Sequence, residues 1–364
     1  MPRARLLVLA SFVLAFASLL EAAPGHEIYR AACAACHGID GRGASPASTA
    51  LEVVPADLTD CSFATREADA DWISVVHEGG PARAFAREMP AFGAALTRSQ
   101  IQSALDYARS FCGDDSWPRG ELNFPRALAT EKAFPEDEVV LTTSATMGGQ
   151  GNVANKLIYE RRIGSRSQLE LIVPFGWREQ ERSGTRAPWT GGVGDLTLGM
   201  KHVVHHSLSR GSIVSIAGEV KLPTGSEDRG FGTGATVLEP FIAFGQRLPA
   251  NSFVHLQTGA ELPLNGDRAN EAFLRLAGGR IFRTAEFGRS WTPMLEILGA
   301  TELESGQRVH WDVMPQLQVS ISPRQHLLGC AGVRFPLNDR DRSDPQLVVY
   351  LLWDWFDGGL TDGW

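Results

Sequence analysis

The sequence predicts an α + β multidomain protein, in which a small all-α domain precedes an antiparallel transmembrane β-barrel of about 12 strands. Apolar residues between positions 24 and 113 recur with a helical period near 3.6. From position 139 onward the period is two, as in a strand with two different faces. This second region holds about twelve alternating segments of roughly ten residues, a length that suits tilted membrane strands.

The composition indicates a folded chain without a nucleic-acid partner. The 364 residues are 43% hydrophobic and 21% charged, which argues against wholesale disorder. The net charge of -8 lacks the basic surface that nucleic-acid binding requires. The length allows two domains.

The N-terminus predicts export. Arg3 and Arg5 precede an apolar run from Leu6 to Leu20, and the small residues Ala22 and Ala23 follow. This run is shorter than the roughly 20 residues that span a bilayer as a helix. We therefore expect residues 1–23 to be a cleaved signal peptide and the mature chain to begin near position 24.

The first domain, residues 24–113, has the pattern of three helices. Thr97 and Gln100 form a capping box before the last helix, and Gly113 follows as a stop. A short helix is predicted over Glu27–Cys36 and another near Asp69–His77. The apolar stripe of the last helix consists of Leu96, Ile101, Ala104, Leu105, Ala108 and Phe111.

The motif "CAACH" at 33–37 has the spacing of a c-type haem attachment site. Cys33 and Cys36, on one helical turn, would bind the two vinyl groups of one haem, and His37 would be an axial ligand of the iron. A zinc site would need a second ligand pair at suitable spacing, and a thioredoxin-like pair would need a βαβ context. We expect one covalent haem c.

The sixth ligand is predicted to be Met89, the sole methionine between the signal and Met147. It lies in "EMPAF", where Pro90 restricts the backbone. His77 and His26 are the rival ligands, and Met89 could instead fill a gap in the core. Ligation by His and Met favours electron transfer, because it leaves no iron position free for oxygen.

Three further cysteines need an explanation in an oxidising compartment. Cys61 and Cys112 lie in the same domain and are predicted to form a disulfide, with two free buried thiols as the alternative. Cys330 is the fifth cysteine and is left over from these assignments, and we expect it to be a small buried or lipid-facing residue.

Residues 114–138 contain Pro118, Pro125 and Pro135 among charged residues, so we predict a linker. The barrel then occupies 139–364. Its connections alternate between tight turns and longer polar loops, with a short link near Gly306 breaking the pattern. An even number of strands puts both barrel ends at the short-turn side, which faces the periplasm in outer-membrane barrels. The expected strands begin near 139, 155, 166, 193, 211, 236, 252, 271, 289, 308, 325 and 346.

The last strand, "QLVVYLLWDWF", is apolar on one face, with Trp355 or Trp364 as the aromatic terminus. A soluble β-sandwich or lipocalin-like barrel is the alternative fold. Three histidines, His202, His205 and His206, are expected to be solvated instead of binding a metal. The polar strand faces predict a lumen lined by Glu170, Lys201, Glu219, Lys221, Glu261 and Asp312.

Residues 25–112 resemble a class I cytochrome c, through "IYRAACAACHGIDGRG", "MPAFGAALTRSQI" and "YARSFC". The resemblance implies haem ligation by His37 and Met89, and a loop at Pro55–Leu58 near the haem edge. It also implies contact between the first and last helices, through Ile28, Tyr29, Leu105, Tyr107 and Phe111.

The barrel region resembles outer-membrane proteins linked to the meta-pathway of phenol degradation. The motifs that carry this resemblance are "VKLPTGS" at 220–226, "GTG" at 232–234 and "GVGDLTLGMK". A substrate does not follow from it, because one fold hosts many functions.

These observations predict a haem-c electron-transfer protein, not an enzyme, anchored in outer-membrane lipid with its haem domain in the periplasm. Periplasmic redox proteins are the expected partners. The alternative is an outer-membrane channel or transporter for small molecules, polar or apolar, with an accessory cytochrome domain. A peroxidase-like activity would require displacement of Met89. A conduit to the cell exterior is disfavoured, because one haem cannot bridge an apolar band about 25 Å tall.

Overall fold

The structure is a computed structural model that describes residues 24–45, 51, 53–179, 188–266, 268–338 and 344–354. The predicted signal peptide and the candidate terminal residues Trp355 and Trp364 lie outside these residues. The chain divides into two compact units. The helical unit comprises residues up to 64, 69–81 and 86–113. The barrel unit comprises 65–68, 82–85 and the chain from 114 onward.

The helical unit contains the three predicted helices, with an interruption in the first and a further short helix at Cys61–Ala64. The helix expected over Glu27–Cys36 is interrupted at Cys33, which ends one helix and begins the next. None of the helices in the described residues is long and apolar enough to cross a bilayer. The helices are α1 (Gly25–Ala32), α2 (Ala34–His37), α3 (Cys61–Ala64), α4 (Asp69–Glu78) and α5 (Arg98–Arg109), and 3-10 turns lie at Gly80–Arg83 and Gly120–Leu122.

Helix α5 begins at the predicted capping box. The Thr97 hydroxyl accepts a hydrogen bond from the Gln100 backbone N–H at 3.3 Å, and the Gln100 side chain accepts one from the Thr97 N–H at 2.9 Å. These bonds satisfy two of the backbone donors that a helix N-terminus leaves without partners. The apolar stripe of α5 is buried, as its period indicates, at Ile101, Ala104, Leu105 and Ala108.

Helices α1 and α5 pack closely against each other. A Cβ added to Gly25 would lie 1.9 Å from the Ser103 carbonyl oxygen, so only glycine allows this approach. The Tyr29 ring packs edge-on against Tyr107 at 5.4 Å and against Phe111 at 5.3 Å. These are contacts that the cytochrome resemblance implies.

The barrel unit is a closed antiparallel barrel of 12 strands, which confirms the predicted fold class. Two of its strands are each interrupted, so fourteen segments are present: β4 and β5 both pair with β3, and β9 and β10 both pair with β11. The pairing of β1 with β14 closes the barrel. The segments are β1 (Glu138–Thr146), β2 (Asn152–Ile163), β3 (Ser167–Glu179), β4 (Trp189–Val193), β5 (Thr197–Ser207), β6 (Ser212–Lys221), β7 (Val237–Leu248), β8 (Ser252–Pro263), β9 (Glu271–Arg280), β10 (Phe282–Arg283), β11 (Ser290–Glu302), β12 (His310–Ser320), β13 (Leu327–Pro336) and β14 (Gln346–Asp354).

Connections of different length lie at the two rims of the barrel. The connections 164–166, 208–211, 249–251, 284–289 and 321–326, of three to six residues, lie at one rim, hereafter the short-turn rim. The connections at the other rim, the loop rim, are longer, except for 147–151. The link near Gly306 spans 303–309 and follows the pattern instead of breaking it. Glu138 pairs with Asp354, so the first and last strands have their outer ends at the short-turn rim.

The strand faces are those expected from the two-residue period. On β12, Gln318 is buried inside the barrel, whereas Leu317 and Val319 are about 40% exposed on the outside. A register shift between Val203 and His205 on β5 is the local exception. Val203 still faces inward in the regular alternation, and after it Val204 and His205 are both exposed.

The segment predicted as a linker is not a solvated spacer. Residues 114–138 belong to the barrel unit, and most of the stretch 120–137, hereafter the plug, is buried. Leu122 is 1% exposed and Phe134 is 2% exposed. The prolines prevent any regular period, so the plug has the sequence pattern of a linker. Its burial depends on partners from the barrel wall that are distant in sequence.

We expect Thr97→Ala to lower the stability of the helical unit by about 1 kcal/mol, because the cap of α5 is lost. Thermal unfolding followed by circular dichroism would measure this. Ser103→Ala, which removes an exposed hydroxyl from the same helix, should change stability by less than about 0.5 kcal/mol. Equal effects of the two substitutions would contradict a stabilising role for the capping box.

Candidate functional site

Cys33, Cys36 and His37 lie on one helical turn. The N–H groups of Cys36 and His37 both donate to the Cys33 carbonyl, at 3.2 and 2.9 Å. Both cysteines are free thiols and partly buried. Two thiols and one imidazole are therefore presented together, as attachment to one porphyrin edge and ligation of its iron require.

The loop after His37 is held against the crossing of α1 and α5. The Tyr29 hydroxyl donates to the Gly38 carbonyl at 2.9 Å, and the Gly43 N–H donates to the His37 carbonyl at 2.9 Å. Gly41 has φ +78°, and a Cβ there would lie 2.6 Å from the Phe111 ring. The aromatic contacts of the helix crossing thus fix the backbone that carries His37.

The His37 side chain is in a state suited to bind a metal. Burial lowers its pKa below the ordinary value, which favours the neutral imidazole that binds metals. Its Nδ1 is buried and has no hydrogen-bond partner in the described part of the chain. The backbone of Ala56, in the Pro55–Leu58 loop, lies against the ring. Burial also raises the pKa of the Cys33 thiol to about 11. This donor set fits haem c.

Met89 lies in a loop that is bonded to the end of α4. The Gly80 N–H donates to the Met89 carbonyl at 3.0 Å, and the Gly93 N–H donates to the His77 carbonyl at 3.0 Å. A Cβ on Gly80 would lie 2.3 Å from the Ala86 carbonyl oxygen, so the loop approaches closely because residue 80 is glycine. These contacts therefore hold the backbone of Met89 in place against the end of α4.

The two rival ligands have other neighbours. His77 Nδ1 lies 2.6 Å from a Glu78 carboxylate oxygen, and its ring packs against Gly93. His26 lies 4.0 Å from Glu27 and near the Tyr107 ring. Ligation by Met89 stays the prediction.

The other cysteines are accounted for by the structure. Cys61 and Cys112 form a disulfide that links α3 to the chain just after α5. Cys330 is 4% exposed and points into the barrel, with its sulfur 3.4 Å from Gln316 Oε1. Of the two expected positions for Cys330, the buried one is therefore correct and the lipid-facing one is not.

The predicted lumen residues face inward, with different surroundings. Glu219, Lys221, Glu261 and Asp312 line a cavity, whereas Lys201 binds the plug. Glu170 lies beside Glu160 and Glu131, with their carboxylate oxygens within 4.8 Å of one another. His202, His205 and His206 form no group of metal ligands among the residues that the structure describes.

The plug is bound by Glu296, which sequence reasoning did not single out. The Glu296 carboxylate, fully buried on β11, accepts hydrogen bonds from three successive N–H groups of the plug. These come from Leu128 at 2.8 Å, Ala129 at 3.1 Å and Thr130 at 2.8 Å. The Thr130 hydroxyl donates as well, at 2.6 Å. Converging N–H groups of this kind form an anion-binding nest.

Other strands satisfy the remaining polar groups of the plug. Gln257 Oε1 accepts from the Glu131 N–H at 3.0 Å, and Gln168 Oε1 accepts from the Glu136 N–H at 2.7 Å. Partners from so many strands show that the plug runs inside the barrel. Three side chains also donate to carbonyl groups of the plug. The Lys201 ammonium donates to Lys132, the Ser215 hydroxyl to Ala133 and the Tyr350 hydroxyl to Arg126.

The charges of the plug are paired within the barrel. Arg126 donates to Glu138 at 2.7 Å, to Glu160 at 2.9 Å and to Glu131 at 3.1 Å. Lys132 forms an ion pair with Glu136. A buried charge is tolerated only when it is paired and hydrogen-bonded, so these contacts hold the plug in one register.

Comparison with known proteins supports the cytochrome assignment of the helical unit. The family model of cytochrome c oxidase, cbb3-type, subunit III matches residues 20–107, a span that contains all four predicted haem-binding residues. The N-terminal unit is thus a cytochrome c-type domain, which implies haem c. No curated protein matches the chain.

Solved barrels are similar to this chain at low sequence identity. An outer membrane channel from Pseudomonas putida F1 is 15% identical over 63% of this chain and 99% of its own, with a TM-score of 0.48. The KdgM porin is 9% identical over 60% of this chain and 99% of its own, with a TM-score of 0.39. The resemblance to phenol-degradation barrels stays a prediction.

We expect Glu296→Ala to destabilise the barrel unit by about 2–4 kcal/mol, because several buried N–H groups lose their acceptor. Urea unfolding in detergent, followed by tryptophan fluorescence, would measure the change. Glu302→Ala, at the loop rim of the same strand, is the matched control and should have little effect. Wild-type stability of Glu296→Ala would mean that the contact does not hold the plug.

Proposed function

We propose that this chain is an electron-transfer protein with one covalently bound haem c, anchored in the outer membrane by its β-barrel. The observation that carries the proposal is the single helical turn that presents two free thiols and a buried imidazole, whose Nδ1 has no hydrogen-bond partner among the described residues. Cys33 and Cys36 would form the thioether bonds, and His37 and Met89 would be the axial ligands. Haem c, when bound, supplies an iron that gains and loses one electron.

The residues around this turn support transfer of electrons in preference to catalysis. Tyr29, Leu58 and Ala108 are buried in the cluster against which Cys33 packs, and they exclude water from that side. With His37 and Met89 both bound, the iron has no open position for a substrate. No enzymatic role is therefore proposed for the haem.

The outer faces of the barrel strands support location in a lipid bilayer. Large apolar side chains on neighbouring strands are 37–52% exposed, a continuous surface that would be unfavourable in water. A closed barrel also leaves no unpaired strand edge, which is the condition for spanning lipid. Examples of these outward residues are Leu157, Leu169, Leu171, Leu198, Ile216, Ile242, Leu274, Leu295, Leu317 and Leu351.

The chain path supports a periplasmic haem unit. Both barrel ends, Glu138 and Asp354, lie at the short-turn rim. Arg166, in a turn of that rim, donates to the Ser116 carbonyl at 3.0 Å, so the chain also enters the barrel there. In outer-membrane barrels the short turns are periplasmic. The haem unit precedes Ser116, and its partners would be soluble periplasmic redox proteins.

The plug argues against the alternative function as an open channel. Its residues 126–131 form one wall of the cavity in the barrel, and the ion pairs of Arg126 lie on the short-turn side of that wall. A solute could not pass without displacing hydrogen-bonded, charged groups. The barrel would therefore serve as a closed anchor.

We expect the oxidised holoprotein to show the red sulfur-to-iron charge-transfer absorption band, and Met89→Ala to lack it. The band reports a methionine sulfur bound to ferric haem, so its loss follows from removal of the thioether. Met147→Ala, which truncates an exposed methionine in the barrel unit, should keep the band. A band that persists in Met89→Ala would mean that another group is the sixth ligand.

We expect the wild-type protein to show no sustained conductance in a planar lipid bilayer, because the plug occupies the lumen. The double variant Glu296→Ala with Gln316→Ala should show channel openings, since both side chains that accept from the Leu128 N–H are removed. Glu302→Ala should be as silent as the wild type. Steady conductance of the wild-type protein would reject the closed-anchor proposal and favour the channel.

A further inference from the structure

A cavity of about 770 Å³ lies in the barrel between the plug and the loop rim. One wall is the plug at residues 126–131, and residues such as Asp195, Thr233 and Asn338 reach it from the loop-rim connections. A volume of this size suits an organic molecule and greatly exceeds that of a single hydrated ion. Because the plug ends the cavity, it has the form of a binding pocket instead of a passage.

The cavity wall carries a row of four glutamates on four neighbouring strands. Glu219 on β6 pairs directly with Glu239 on β7, and Glu261 on β8 pairs directly with Glu271 on β9. The pairing of Leu238 with Leu262 puts Glu239 beside Glu261 in the next position. Glu219, Glu239, Glu261 and Glu271, hereafter the glutamate row, all line the cavity.

Such a row is unfavourable for the barrel by itself. Like charges directly opposite each other in a sheet repel, and the loss grows where water is restricted. Lys221 lies 3.8 Å from Glu261, and Arg275 lies 3.7 Å from Glu239. Glu219 and Glu271 have no cationic nitrogen within 4.0 Å among the described residues. Only half of the row is therefore in direct ion pairs, and Lys156 is a further cation of the cavity wall whose charge acts on Glu219 and Glu239.

The whole cavity has the same excess of negative charge. Eight acidic and five basic side chains line it, so an anion would be repelled. Aromatic side chains, Phe231 and the inward-facing Phe273, also line the cavity. Aromatic faces attract organic cations, and carboxylates pair with their ammonium groups.

We propose that the cavity binds a small organic polyamine, with ammonium groups on the glutamate row and the carbon chain against the aromatic side chains. Two ammonium groups a few bonds apart can contact carboxylates on neighbouring strands, whose separation is about 5 Å. The ligand would enter from the loop rim, which faces the cell exterior in the proposed orientation. Binding in this cavity does not depend on the haem.

The test is calorimetric titration of spermidine into the full-length holoprotein in detergent, with glutamate as the anionic probe and calcium as the metal probe. We expect saturable binding of spermidine at one site and none of glutamate. The double variant Glu219→Gln with Glu239→Gln should bind at least about tenfold more weakly, because two charge pairs are lost. Glutamine keeps the shape of the glutamate side chain and removes the repulsion between the two carboxylates, so the double variant should fold.

Glu304→Gln is the control. Glu304 is exposed in the connection 303–309 and does not line the cavity, so the affinity of this variant for spermidine should be unchanged. Absence of spermidine binding, wild-type affinity in the double variant, or equal weakening in Glu304→Gln would overturn the proposal. Calcium binding that displaces spermidine at a lower concentration would assign the glutamate row to a metal ion instead.

Discussion

The polar backbone of the plug has to find its partners inside the barrel, because the barrel shields it from water. Glu296 meets the largest part of this requirement, since one buried carboxylate accepts from three successive N–H groups. The dependence is mutual. A fully buried carboxylate is stable only while donors converge on it, so the plug also stabilises the wall. The position of the plug, which bounds the cavity on the loop-rim side, follows from this pairing.

The helical unit depends on a different constraint, the close crossing of α1 and α5. Gly25 allows the two backbones to touch, and Tyr29 then packs between Tyr107 and Phe111. The hydroxyl of Tyr29 reaches the Gly38 carbonyl and so fixes the residue after His37. Packing at the helix crossing therefore places the imidazole, and this crossing supports the His37 side of the candidate haem site.

The two units divide the proposed function between them. In this proposal the cytochrome c-type domain would supply the redox centre, while the barrel would be a closed anchor with an apolar exterior. A sealed barrel holds a carrier at the membrane without opening a pore there. The conductance of the wild-type protein decides between this arrangement and transport, because an anchor and a channel differ only in whether the plug stays in place.

The sequence by itself determined the features that rest on local chemistry or a repeated period. The spacing from Cys33 to His37 and the capping box at Thr97 are set within one helical turn, so no distant contact is needed to recognise them. The strands were predictable for a related reason. The pleat of a β-strand imposes the two-residue period. The twelve predicted strands are present in the closed barrel, and they begin within a few residues of their expected starts.

Only the tertiary structure decided whether residues 114–138 form a solvated linker or pack inside the barrel. Their prolines and charges have the same pattern in a solvated linker as in a plug, because neither has a regular period. A plug differs from a linker here because Glu296, Gln257 and Gln168 accept hydrogen bonds from its backbone. These side chains lie from more than thirty to more than one hundred and sixty residues away in the sequence. In the same way, the glutamate row exists only through strand register. No sequence pattern reveals that Glu219 and Glu239 are neighbours, since hydrogen bonding between strands, not chain order, brings them together.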